Sequence, residues 1–319
     1  MPQLLARSGI LVMKVAVLYG GTSAEREVSL SSGKGIIAAL QKKGHEVVGI
    51  DFNPSKLNEL LNLNVDIVFI GLHGRFGEDG RIQGLLDMLN IPYVGSGVLG
   101  SALAMNKVKA KRVLEREGIR VARDQALHVN TFNRDNFNTT YTTLDFPMVV
   151  KPASEGSTIG LTIAHNEQEL IAGIEEGFKH DDEILIEEFI DGMEVTVAVL
   201  GEKGKEQALP VIEIVPKNKF YDYEAKYALG GSDHIIPARV NAKITDYLQK
   251  NAVLAHQSLD CKTYSRTDFI VPKDGSLPVV LEVNTLPGMT PTSLFPDAAR
   301  EIGLSYEDMI ERLIELSIK

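Results

Sequence analysis

Apolar runs and helical stripes alternate along the first hundred residues. KVAVLY (14–19) has the continuous apolar character of a buried strand, and HEVVGID (45–51) and VDIVFIGL (65–72) follow suit. Between them Ile36, Ile37 and Leu40 recur at helical spacing, with Gly44 as the stop signal. Ile82, Leu85, Leu86 and Leu89 outline a further helix, and IPYVG (91–95) a fourth strand. This β-α-β-α rhythm predicts a parallel sheet with helices on its faces. In such a sheet the loops at the carboxyl ends of the strands carry the ligands.

The rhythm changes after about residue 106. A helix over 107–117 ends at Gly118, and RDQAL and FPMVVK read as strands. Asn166, with Glu169 three residues on, opens a helix in the manner of a capping box. EILIEEFI and MEVTVAVLG are strands, so this part predicts a small α+β module. In the last third come strand ALPVIEIVP, a polar Tyr- and Gly-containing segment (217–234), and a helix over 242–259. RTDFIVPKDGSLPVVLEVN then reads as a hairpin turning at Asp274-Gly275, and a closing helix starts near Ser305. The predicted class is α/β and α+β. A parallel-sheet domain (13–106) precedes a small domain (107–192) and a third domain (193–319) with a lid loop (217–238). Residues 1–12 are expected to be an extension outside the fold.

Composition narrows the function. A chain of 319 residues with 44% hydrophobic residues can bury several cores. Its formal net charge of -10 argues against a broad nucleic-acid surface, which needs a positive field. Polyanionic small ligands stay possible, because a few local lysines suffice for them. The single cysteine, Cys261, allows no internal disulfide and fits a reducing cytoplasm. No apolar run reaches the roughly 18 residues a membrane helix needs, and the start MPQLLARSGILV lacks the pattern of a signal peptide.

The hairpin carries the strongest chemical signal. Glu282 and Asn284 lie two apart, on one face of their strand, and Asp268 lies on the partner strand behind Arg266. Glu-x-Asn alone is a solvated strand end. With Asp268 across the hairpin the three form a hard-oxygen cluster suited to Mg²⁺ and a substrate's phosphates. Lys151 ends the run FPMVV, ahead of ASEGSTIG, whose small residues let backbone N–H groups approach a phosphate. Lys107, at a helix start, is a second phosphate candidate. Glu187, Glu188 and Glu194 are carboxylates beside apolar strand residues, able to accept from a ribose. GGTSAEREVSLSSG after the first strand is not G-x-G-x-x-G, so a dinucleotide fingerprint is absent. Its Glu25 or Glu27 could hold an amine. His73, between Gly71 and Gly74, reads as a loop histidine, and KFYDYEAKYALGGSDH (219–234) as a lid that excludes water.

Taken in order, GGTSAEREVSLSSG, LHGRFGEDG, VVKPASEGSTIG, ILIEEFIDGMEVTVAVL, YDYEAKY, SRTDFIV and LEVNTLPGMTPTSL resemble the D-alanine–D-alanine ligases of the ATP-grasp superfamily, across residues 14–317. The resemblance implies ATP gripped by a two-domain ATP-grasp module, two Mg²⁺ (with Mn²⁺ as a substitute), and a cytoplasmic bacterial enzyme of peptidoglycan synthesis, homodimeric by analogy. It implies that Asp268, Glu282 and Asn284 hold the metal, and that Lys107, Lys151 and Lys226 meet phosphates. It puts Glu187 and Glu194 on the adenine and ribose side, and Arg266 and the Gly288 N–H at the oxyanion. Glu25, with His73 nearby, would take the first D-alanine's ammonium, and Ser293 and Leu294 the second D-alanine's carboxylate. Glu25, Ser157 and Tyr227 would form a hydrogen-bonded set, and the YDYEAKY pattern favours an amine over a hydroxy acid as nucleophile. The chain departs from the family at Asn106, where Asp is common, at Cys261-Lys262, and in residues 1–12.

Overall fold

The computed structural model describes residues 12–134, 143–156, 158–216 and 232–318. Strands β1 (Lys14–Gly20), β2 (Glu46–Phe52) and β3 (Ile67–Ile70) form a parallel sheet in the order β2-β1-β3. Val15 to Leu18 are wholly buried, as the central strand of a sheet covered on both faces must be. Helix α1 (Arg26–Lys42) packs Ile36, Ala39 and Leu40 against this sheet. The expected fourth strand is only a bridge: Val68 N–H donates to the Pro92 carbonyl at 2.8 Å, and Val94 N–H to the Val68 carbonyl at 2.9 Å. Pro92 has no N–H to extend the ladder.

The sequence pattern did not separate a helix, α4 (Val98–Met105), that follows the short helices α2 (Asn58–Leu61) and α3 (Arg81–Met88). VLGSALAM is apolar on nearly every side and so shows no stripe. It lies so close to the third domain that a Cβ on Gly100 would meet the Asp260 carbonyl oxygen at 2.5 Å. Helix α5 (Lys107–Arg116) is capped as its sequence predicts, with Asn106 Oδ1 accepting from Lys109 N–H at 2.9 Å. The Asn106 amide also reaches Glu183 at 3.4 Å, so an aspartate here would set two carboxylates together.

The second sheet is antiparallel, β4-β7-β5-β6, from β4 (Asp124–His128), β5 (Met148–Pro152), β6 (Thr162–Ala164) and β7 (Glu183–Glu188), with α6 (Glu167–Gly177) across it. Asn166 caps α6 by accepting from Glu169 N–H. The Glu169 carboxylate accepts from the Asn166 side-chain amide at 2.7 Å and from His165 N–H at 2.8 Å, so its backbone contact falls one residue before the cap's own N–H.

The third sheet runs β11-β10-β8-β12-β13, with the short β9 (Gln207–Ala208) also on β8. It comprises β8 (Gly192–Gly201), β10 (Ile212–Pro216), β11 (Ser232–Ile235), β12 (Thr263–Pro272) and β13 (Val279–Asn284). Pro210 splits the expected single strand ALPVIEIVP into β9 and β10. Helix α7 (Ala242–Ser258) buries Leu248, Ala252 and Ala255 against this sheet. Two helices close the chain: α8 (Leu294–Glu301), not anticipated from the sequence, and α9 (Tyr306–Ser317). Met309, Ile310, Leu313 and Ile314 of α9 are fully buried in the first domain's core. At about 1.5–3 kcal/mol per such side chain, α9 is a principal fastening between the first and last thirds.

Candidate active site

The hairpin sets the geometry of the site. Gly275 adopts φ 81° at its turn, and the antiparallel register then places Asp268 opposite Glu282 and Arg266 opposite Asn284. The Arg266 guanidinium forks onto Asp268 with bonds of 2.9 and 2.8 Å. Asn284 Nδ2 donates to the same carboxylate at 3.0 Å, and Thr196 Oγ1 at 2.6 Å. Lys107 Nζ lies 3.4 Å from Glu282 and donates to the Glu155 carbonyl at 2.6 Å. Among the described residues, no three His, Cys, Asp or Glu side chains form a cage for a metal ion. Two carboxylates and an amide fit Mg²⁺ only where a substrate's phosphates complete the shell, which is how Mg²⁺ is commonly held.

Beyond β13 the chain turns through Leu286-Pro287-Gly288 and is held from the first domain. His73 Nδ1–H donates to the Leu286 carbonyl at 3.1 Å, so Nε2 accepts from Ser32 Oγ at 3.1 Å. Ser32 Oγ in turn accepts from Met289 N–H, and Tyr306 O–H donates to the Met289 carbonyl. Burial pushes the His73 pKa down, and the Glu25 charge only partly opposes this. His73 lines the cavity, but the protein itself engages both ring nitrogens. Its geometry is that of a brace for residues 286–289 rather than a substrate contact. On the far side of the loop, a Cβ on Gly288 would stand 3.1 Å from Ser293 Oγ, which Thr290 engages at 2.7 Å. Leu294 opens α8, with its side chain in the core.

Two cavities meet here. One, of about 50 Å³, is lined by Glu25, His73, Glu78, Arg266, Asn284 and Gly288. The other, of about 140 Å³, is lined by Lys151, Thr158, Glu194 and Asp268 among others. Lys107, Glu155, Gly156 and Glu282 line both. The Glu25 carboxylate stands where side chains have no room: a Cβ on Gly74 would lie 2.9 Å from it, and one on Gly156 3.0 Å. The glycines of both loops thus let the first domain's carboxylate and the small domain's loop approach. Ser157, Lys226 and Tyr227 lie outside the described residues, as do residues 217–231 of the expected lid.

Glu187 lies in a network of ion pairs that the sequence did not show. It is 4% exposed and does not face the larger cavity. Its two oxygens meet Lys111 and Lys151, each at 2.5 Å. Burial alone would raise this carboxyl; the two ammonium groups outweigh it and hold the pKa below the usual range. Lys111 also lies 3.3 Å from Asp124, which Arg112 caps from the surface. Glu187 therefore backs Lys151. Glu194 does line the larger cavity, beside Lys151.

Glu78 was missed, although GLHGRFGEDG contains it. It accepts from Gly74 N–H at 2.6 Å, and burial, with Glu25 next, pushes its pKa up to about 8. The folded protein therefore holds a proton on Glu78 that the unfolded chain releases above pH 4.5. This carboxyl's contribution to stability is fully present below its unfolded pKa and is lost as pH rises through about 8. Glu78→Gln should flatten that part of the profile of melting temperature against pH between about 5 and 8, measured without ligands. An unchanged slope would contradict the assignment.

Comparisons with known proteins agree along the chain. The family described as "D-ala D-ala ligase C-terminus" matches residues 113–315, and "D-ala D-ala ligase N-terminus" matches 14–58 and 53–96. A D-alanine–D-alanine ligase of Halalkalibacterium halodurans is 66% identical over 307 residues, covering 96% of this chain and 100% of the relative. That of Syntrophotalea carbinolica is 47% identical over 310 residues, covering 97% and 98%. The structure of the Bacillus anthracis D-alanine–D-alanine ligase complexed with ATP superposes with a TM-score of 0.82 at 35% identity, covering 96% of this chain and 98% of that one. VanG D-Ala:D-Ser ligase from Enterococcus faecalis gives 0.82 at 33% identity, covering 96% and 100%.

Proposed function

This chain belongs to the D-alanine–D-alanine ligase family, and on that premise we propose how its residues join two D-alanine molecules at the expense of ATP. The observation that carries the reading is the junction of the two cavities at Lys107, Glu155, Gly156 and Glu282. ATP occupies the larger cavity, with Lys151 and Lys107 toward its phosphates and Glu194 toward its ribose. The first D-alanine occupies the smaller one, its ammonium on Glu25. Its carboxylate then meets the γ-phosphate where the cavities join, giving an acyl phosphate and ADP. The second D-alanine's amine attacks the acyl carbon, a C–N bond forms, and phosphate leaves with the carboxylate oxygen that received it.

Phosphoryl transfer of this kind rests on positioning and charge neutralisation, not on a nucleophilic side chain. Asp268, Glu282 and Asn284 would hold Mg²⁺, which screens the phosphate charge when bound. Arg266, locked by Asp268, and the Gly288 N–H face the oxyanion of the tetrahedral intermediate. Ser293 and the start of α8 receive the second carboxylate. By resemblance to the family Ser157, Tyr227 and Lys226 belong to this site, and the YDYEAKY pattern supports an amine nucleophile. The three sheets support domain divisions near residues 106 and 192. No described helix is long and apolar enough to cross a membrane, and we place the enzyme in the bacterial cytoplasm, as a homodimer, supplying the dipeptide for peptidoglycan.

With Mg-ATP and D-alanine the protein should release one phosphate per D-alanyl-D-alanine formed. With D-alanine plus excess D-lactate or D-serine, the dialanine should remain the main product. A predominant depsipeptide or D-alanyl-D-serine would move the chain to a different acceptor class.

A further inference from the structure

The loop that carries Gly288 and Ser293 is braced from two sides, and the substrate roles above use only one. On the first domain's side stand His73, Ser32 and Tyr306. On the other side His234, on β11, places Nδ1 2.6 Å from Asp297 Oδ2 in the first turn of α8. Asp297 Oδ1 accepts from Arg300 NH1 at 2.7 Å, and Arg300 NH2 donates to the Pro291 carbonyl at 2.8 Å. Pro291 lies two residues before Ser293, within the turn that Ser293 N–H closes onto the Thr290 carbonyl at 2.9 Å.

We propose that His234, Asp297 and Arg300 form a positioning chain that fixes the turn 290–293, and hence Ser293, for the carboxylate of the second D-alanine. The proposal rests on the reading that Ser293 receives that carboxylate. It makes the edge strand β11 part of the acceptor subsite's frame, although His234 touches no substrate.

Three observations support it. His234 and Asp297 are 63 residues apart and join two separate elements, so their bond fixes α8 against the sheet. Both side chains are mostly buried, at 20% and 16% exposure, where such a bond persists better than on an open surface. Burial would raise the Asp297 carboxyl, yet His234 and Arg300 hold it below the usual range, which keeps it an acceptor for both. The anchoring is also directional. Arg300 is planar and pairs Asp297 with one arm of its fork and the Pro291 carbonyl with the other. Without His234, Asp297 can rotate, and the Arg300 fork loses the fixed partner that aims it at Pro291.

The test is steady-state dipeptide synthesis over a wide D-alanine range at saturating ATP, fitted with separate constants for the two D-alanine sites. His234→Leu should raise the second-site constant about tenfold, what loss of one charge-assisted hydrogen bond gives. The first-site constant and the KM for ATP should stay unchanged, and kcat should stay within about twofold. His234→Asn, whose amide nitrogen sits near the place of Nδ1, should restore most of the loss. Asp297→Asn should reproduce the rise, and adding it to His234→Leu should give little more. An unchanged second-site constant in an active His234→Leu enzyme overturns the proposal. So does a parallel rise in the ATP constant, or failure of His234→Asn to outperform His234→Leu. A wild-type protein that forms no dipeptide overturns the ligase reading itself, and this inference with it.

Discussion

Glu282→Gln should lower kcat by about 10²–10³-fold while leaving the protein folded. Glu282 faces Asp268 across the hairpin and lies at the junction of both cavities. Its charge is directed at that junction, not at the core: among the described residues Lys107 lies 3.4 Å away, a contact too long for a strong bond. The amide keeps the shape and the strand register but removes one of the two carboxylates proposed to hold the metal. Loss of that pair should change stability by no more than about 1 kcal/mol, since partly solvated pairs contribute little. Activity by phosphate release, paired with thermal melting, separates the two effects. A melting temperature that falls with activity would mean that the carboxylate is structural.

The opposite balance is expected at Glu187. This carboxylate, itself buried, neutralises the buried Lys111 and the cavity-lining Lys151. Glu187→Gln leaves the buried Lys111 and the partly buried Lys151 close together with one negative partner fewer, and breaking the buried Lys111–Glu187 pair costs about 3–5 kcal/mol. Denaturant unfolding should show that loss through a lower midpoint at an unchanged slope. In whatever fraction stays folded, Lys151 loses the carboxylate that aims it, so the KM for ATP should rise more than that for D-alanine. A variant of full stability would show that the ion-pair network adds nothing to the fold.

These two glutamates also mark where sequence reasoning succeeds and where it ends. The hairpin was legible because Asp274-Gly275 fixes a turn and a period of two fixes each residue's face. Counting outward from the turn then places Asp268 near Glu282 with no knowledge of the fold. The observed pairing carries a bulge between Asp268 and Phe269 and still sets Asp268 opposite Glu282 and Arg266 opposite Asn284. The ion pairs of Glu187 were not legible, because alternation tells which face a side chain takes, not what lies beneath it. Lys111 comes from α5 and Asp124 from β4, and no local pattern links them to β7. His73 was misjudged for the same reason, since its partners Ser32 and Leu286 lie 41 and 213 residues away. Glu78 did leave a signal: it is a carboxylate between Gly77 and Gly80 in the same loop as His73, with little room around it. Helices α4 and α8 escaped because one lacks a polar face and the other starts inside the substrate loop.

The central claim is that a D-alanine carboxylate attacks the γ-phosphate where the two cavities meet. Labelling D-alanine with ¹⁸O in its carboxylate tests this directly, by mass spectrometry of the released phosphate. The account predicts one labelled oxygen in each phosphate formed with dipeptide, delivered from the first D-alanine when the acyl phosphate breaks. Unlabelled phosphate, or pyrophosphate and AMP in place of phosphate and ADP, would contradict it.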